Sequence, residues 1–211
     1  MDDVQHRVIV WTLLAAAVIK ALTVANVWIA AALLASAAVG FVAPRLGAAG
    51  VAVVLTPIVD TNHEMFLFLV AVLVAGFPDT AQRRLLLRTQ MTALYLFAGV
   101  AKLHPGWLSG ELLNRDGALM LFGTLPTGLI VWGTIVAELA MVPLLWWRPR
   151  FALYFGAVLH AAIIVGVWTL VPEYRAGLVV FNGLAVAVLF AVMRPTTSPS
   201  DSPRRPPLRL R

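Results

Sequence analysis

Lys102 ends an apolar run, "LYLFAGVAKLHPGWLSG", that spans residues 94–110. The chain has 14 arginines and two lysines, and this lysine stands apart from the arginines. Three further features place ionisable groups within or beside apolar sequence: Glu138, His160 and the cluster "DTNHE" at 60–64. A charged group inside an apolar helix costs about 2.5–3.5 kcal/mol on insertion scales, so each needs a partner or a function. An apolar surround disfavours the charge of a lysine, and a neutral amine is a base able to take a proton from an acidic hydroxyl. Lys102 is therefore a candidate catalytic base. The competing reading is a lysine whose amine snorkels to the headgroups.

Glu138 lies eleven residues before Pro149 and His160 eleven after it. If Pro149 turns a helical hairpin, both sit ~16 Å from the turn and at the same depth. The sequence thus predicts that they can meet. The pair would either lock two helices together or act as a proton relay. Gly156 and Ala157 precede His160. They either permit close helix approach or leave room for a flat ligand. In "DTNHE", Asp60, Asn62, His63 and Glu64 face outward on the topology below. His63 with Asp60 or Glu64 is a weak metal motif, without H-E-x-x-H or a second His at ligand spacing. A wet loop or a helix N-cap explains the group equally well, and no metal is assigned.

These side chains must be held by helices. Of 211 residues, 61% are hydrophobic and 12% charged, with a mean hydropathy of +0.88. Soluble domains are about 45–50% apolar and about 25% charged. Apolar runs near the ~20 residues that cross a bilayer recur along the chain, and in lipid such runs must be helical. The predicted fold is an all-α integral membrane protein, a multi-pass bundle of about 7–8 helices, some short or broken. The predicted runs are 8–24, 27–43, 47–59, 63–77, 84–103, 126–147, 151–171 and 175–193, with Asn26 as a tight turn and 43–47 as a loop. Residues 1–193 form one transmembrane domain. Residues 194–211, rich in Pro, Ser and Arg, are expected to be a disordered basic tail.

With the N-terminus inside, twelve arginines fall on the inner side, while Lys20, Lys102, Arg115 and Arg175 fall outside. This positive-inside bias predicts cytoplasmic termini and a multi-pass protein of the inner (plasma) membrane. The net charge of +6 is explained in the same way, and no nucleic-acid partner is expected. The bilayer is the expected partner. The absence of cysteine excludes disulfides, thiolate metal sites and c-type haem. The N-terminal run carries Asp2 and Asp3 and is interrupted by Lys20, so it is expected to be retained instead of cleaved as a signal peptide.

On a helical period, Arg88, Thr92, Tyr95, Gly99 and Lys102 share one stripe. The stripe is expected to face the bundle interior, with Leu94 and Phe97 on the opposite side. Lys102 would sit at the outer edge, roughly 10 Å above the level of Glu138 and His160. His104-Pro105-Gly106 has turn chemistry, and Trp107 suits a membrane interface. The segment after it could lid an outward pocket.

The stretch "YLFAGVAKLHPGWLSG" resembles a segment of the vitamin K-dependent gamma-carboxylases and their bacterial relatives, the horizontally transferred transmembrane domain family. The likeness rests on Tyr95, Ala98, Gly99, Lys102, Leu103, Trp107 and Gly110. Asn62-His63, Glu138 and His160 support it, and it spans about residues 45–170. The resemblance implies that Lys102 is the base that deprotonates a reduced quinone, either menaquinol or vitamin K hydroquinone, which O2 then converts to an epoxide. It implies that His63 lies near the same site and that His160 lines the pocket. The large extramembrane domain that holds a carboxylase's protein substrate is not expected here. The alternative is a non-enzymatic accessory or partner-binding membrane protein of the same family. A transporter is disfavoured because no inverted repeat is visible.

Overall fold

The structure, a computed structural model, describes residues 3–58, 62–77, 80–111, 126–168 and 172–193. The basic tail, Asp60 and Arg115 lie outside the described residues, as do the side chains of Asn62, His63 and Arg175. Among the described residues all regular structure is helical. The elements are α1 (Asp3–Thr23), α2 (Val27–Val42), α3 (Pro44–Leu55) with a 3-10 turn (Thr56–Ile58), α4 (Asn62–Gly76), α5 (Thr80–Ala101), the single turn α6 (Pro105–Leu108), α7 (Thr127–Trp147), α8 (Pro149–Trp168) and α9 (Pro172–Met193). Apart from α6, the described helices match the eight expected runs.

The helix starts follow from local chemistry. The long N-terminal apolar run breaks at Asn26. Its side chain accepts from the backbone N–H of Trp28 (2.9 Å) and Ile29 (3.3 Å), capping α2. Proline opens α3, α6, α8 and α9. At the first helical position its missing N–H costs nothing and its φ is already helical. This corrects the expected loop at 43–47: only Ala43 is non-helical there. For the same reason α8 begins at Pro149 itself.

Consecutive helices pack against one another, and α9 lies against α1, α4, α5 and α8. At one end, the buried Arg83 of α5 bonds His6 of α1 (2.6 Å) and the Phe77 carbonyl just beyond α4 (2.8 Å). Beside it, Arg84 Nε donates to the Val192 carbonyl of α9 (2.8 Å). Toward the other end, Lys20 of α1 pairs with Glu64 of α4. The helices therefore alternate in direction, with arginines gathered at one end and both lysines toward the other.

Two helical stretches, Val4–Thr23 and Thr127–Trp147, are long and apolar enough to cross a membrane. Others, such as Val27–Val42 and Pro149–Val165, are apolar but shorter. The outward surface is strongly apolar: Trp28 is 80% exposed, Val42 90%, Phe97 71% and Trp147 79%. Water-facing surfaces of monomeric proteins rarely gather large apolar side chains on this scale.

Candidate functional site

The α5 stripe lies where its period places it. Gly99 lets α5 approach α7: a Cβ there would come within 2.7 Å of Leu139 Cδ2. Along that seam, Trp146 Nε1 of α7 donates to Thr92 Oγ1 (2.9 Å), and the Arg88 guanidinium sits 5.3 Å from the Trp146 ring centroid. The helices are antiparallel, so the later part of α5 meets the earlier part of α7. There Lys102 Nζ donates to both carboxylate oxygens of Glu138, each at 2.7 Å.

Side-chain direction explains this contact. Helical side chains tilt toward the N-terminus of their own helix. Lys102 therefore points back down α5, and its amine also reaches the Ala98 carbonyl at 3.4 Å. Glu138 points toward the start of α7, so the two side chains converge. The vertical offset expected between them is spanned by the lysine stem. The Glu138 side chain is 9% exposed and that of Lys102 20%.

The expected pairing of Glu138 with His160 is not formed. The buried residues of α7 (Val131, Ile135, Glu138, Met141 and Leu145) trace one stripe, and its Glu138 turns to α5. On α8, Ala152, Gly156 and His160 are buried at a four-residue spacing. That stripe faces α5 and α9, and meets α7 through Met141 but not through Glu138. Equal depth fixes height but not the direction a side chain takes around its helix.

His160 instead joins a buried chain across three helices. Tyr95 Oη lies 2.7 Å from His160 Nε2, and His160 Nδ1 lies 2.6 Å from Asn182 Oδ1. Asn182 Nδ2 donates to the Leu178 carbonyl (2.7 Å), which fixes the amide's orientation. The Asn182 oxygen must then accept, so His160 carries its proton on Nδ1. Nε2 accepts from the Tyr95 hydroxyl. Gly156 serves close packing. A Cβ there would meet Leu189 Cδ1 at 2.6 Å and Met141 Cε at 2.9 Å, so protein atoms fill the space.

His160→Phe removes two interhelical hydrogen bonds while keeping a ring. It is expected to destabilise the fold by about 1–3 kcal/mol, since such bonds contribute roughly 0.6–1.7 kcal/mol each in membranes. Unfolding by an SDS titration in mixed micelles measures this.

Above the ion pair, His104 Nδ1 accepts from the Gly106 N–H (3.1 Å) and caps α6. Gly110 closes the turn at φ +75, a backbone conformation suited to glycine. The turn lays Trp107 against the cluster of Val131 and Ile135, and the Lys102 amine sits 5.1 Å from its ring centroid. Among the described residues the buried Trp107 Nε1–H has no acceptor. Asn62 and His63 open α4, and Glu64 on that helix is engaged by Lys20.

Asn182 was missed by the sequence reading. Its signal was present: a lone amide in the apolar run "VVFNGLAV".

The chain matches no family model, no curated protein and no solved structure. The functional reading therefore rests on geometry and on the residues themselves.

Proposed function

We propose that the chain is a multi-pass inner-membrane protein of about eight crossing helices, related to the membrane part of the gamma-carboxylases, and that its Lys102–Glu138 pair takes a proton from a reduced quinone. The apolar outer surface, the alternating helix directions and the arginine-rich end support the membrane reading. The observation that carries the chemical reading is the Lys102–Glu138 pair, held between two apolar helices beneath a tryptophan whose buried N–H has no acceptor among the described residues.

The geometry divides the roles. The Lys102 ammonium already donates to Glu138 and to Ala98. The carboxylate, with two oxygens and about four acceptor sites, retains capacity. A quinol hydroxyl placed at the pair can pass its proton to Glu138, and the phenolate left behind faces the ammonium. The pair as a whole thus acts as the base, with Lys102 stabilising the anion. The Trp107 N–H, without an acceptor among the described residues, would hold a ligand oxygen. Overall, the quinol and O2 would yield the quinone epoxide and water.

Incubation of the purified chain with menaquinol or vitamin K hydroquinone under oxygen tests this, with epoxide measured by mass spectrometry. Wild type is expected to form epoxide. Glu138→Gln and Lys102→Ala are expected to lower the rate about 100-fold or more, within the range typical of lost general-base catalysis. No epoxide from folded wild-type protein would sink the quinol reading.

A second reading, a non-enzymatic accessory protein, has one observation in its favour: the ammonium's three donors all have acceptors within the chain. The pair would then be a helix lock. On that reading, Lys102→Arg has no effect beyond stability.

A further inference from the structure

Toward the arginine-rich end, the seam between α5 and α7 holds a cation that the fold does not satisfy. Among the described residues the half-buried Arg88 guanidinium makes no hydrogen bond and no ion pair. Its Nε is shielded from solvent and has no acceptor there. The neighbouring cations differ. Arg83 and Arg84 each donate to a backbone carbonyl near a helix end, and Lys20 and Lys102 each pair with a glutamate. An unpaired guanidinium in apolar surroundings costs free energy, so Arg88 needs an anion from outside the seam.

The surroundings are built around that group. The guanidinium lies 5.3 Å from the centroid of the Trp146 ring. The indole is fixed there, because its Nε1–H donates to Thr92 Oγ1 (2.9 Å) and the Thr92 hydroxyl donates to the Arg88 carbonyl (2.9 Å). Trp146 thus forms a wall and leaves the guanidinium's donors free. Arg88 is eight residues into α5, ~12 Å from its start, and its side chain leans back toward that start. Trp146 stands in the last turn of α7. The guanidinium therefore lies where both helices approach the inner headgroups, beside an aromatic suited to that depth. Its forked donors match two oxygens of a phosphate. Arg84, one turn earlier on α5, adds positive charge, which favours a headgroup of net negative charge over a zwitterion. Leu85 (54% exposed) and Trp146 (42% exposed) supply apolar surface beside it for acyl chains.

We infer that Arg88, backed by the face of Trp146, binds the phosphate of an anionic phospholipid of the inner leaflet. The inference rests on the membrane reading for the source of the phosphate. It is independent of the quinol chemistry, since Arg88 is fourteen residues, ~21 Å along α5, from Lys102. The epoxide assay can fail with this binding intact, and the reverse.

Titration of the delipidated full chain in neutral detergent with short-chain phosphatidylglycerol, read by native mass spectrometry, tests the site. Arg88→Gln is expected to weaken binding about tenfold, the loss of one charge-assisted bond. Arg88→Lys should lose less, since it keeps the charge but not the forked donor. Arg150→Gln removes an exposed arginine on the same side and should change binding less than about twofold, as expected of a surface charge. Before lipid is added, Arg88→Gln should melt no lower than wild type, because it removes an unpaired charge. With lipid, the wild-type melt should rise and that of Arg88→Gln should rise less, as ligand linkage requires. A lower melt for lipid-free Arg88→Gln overturns the site in favour of a structural role for Arg88. Equal losses of affinity from Arg88→Gln and Arg150→Gln overturn it in favour of diffuse attraction. Phosphatidylcholine of the same chain length that binds as tightly as phosphatidylglycerol overturns the anionic assignment. Inorganic phosphate that binds as tightly as the lipid, with the same dependence on Arg88, overturns the headgroup assignment and leaves a free anion as the ligand.

Discussion

Lys102→Met is expected to destabilise the protein by about 3 kcal/mol, and Lys102→Met with Glu138→Leu is expected to restore most of that loss. The reasoning concerns what the single substitution leaves behind. Removing one member of a buried ion pair costs about 3–5 kcal/mol because the remaining charge is stranded. Lys102 keeps a fifth of its side chain exposed, which places the cost at the low end. Glu138, at 9%, is the stranded partner. Replacing both members by apolar side chains of similar size removes the desolvation cost along with the attraction, and is often neutral or stabilising. SDS unfolding of the wild type, both single variants and the double variant gives the coupling. A catalytic pair and a helix lock both predict this stability cycle. They part in the epoxide assay, where the double variant should be as stable as wild type and inactive if the pair does chemistry. A double variant as unstable as Lys102→Met would show that Glu138 is not stranded, and the pair would lose its significance for both readings.

The α5 stripe was legible because helical period alone fixes which residues share a face. Arg88, Thr92, Tyr95, Gly99 and Lys102 all turn toward α7 and α8, as their spacing requires. The helix runs were legible because apolar length and proline mark them, although proline at the first helical position makes the connections shorter than its reputation as a breaker suggests. The partners of the polar groups were not legible. Rise per residue gave Glu138 and His160 a common depth, but rotation about each helix sent one to Lys102 and the other to Tyr95 and Asn182. Rise also set Lys102 too far from Glu138, because it takes no account of long side chains that lean toward each other. The rarity of lysine now has a structural reading as well: each lysine forms an interhelical pair with a glutamate, α1 to α4 and α5 to α7.

Gly47→Ala is expected to be among the most damaging single-methyl additions, at about 3 kcal/mol, the upper end of overpacking costs. A Cβ on Gly47 would overlap the Gly40 Cα, and it would lie 2.5 Å from the Gly40 nitrogen and 2.8 Å from the Ser36 carbonyl oxygen. All three are backbone atoms of α2, so no side chain can rotate away and the two helices must separate. Gly40→Ala meets the Leu14 side chain first, which can change rotamer, so it should cost less. Gly133, in α7, has open space where its Cβ would go. Gly133→Ala should therefore be neutral or stabilising by up to about 1 kcal/mol, through helix propensity alone. The order Gly47, Gly40, Gly133 in SDS unfolding midpoints separates backbone contact from side-chain contact and from none.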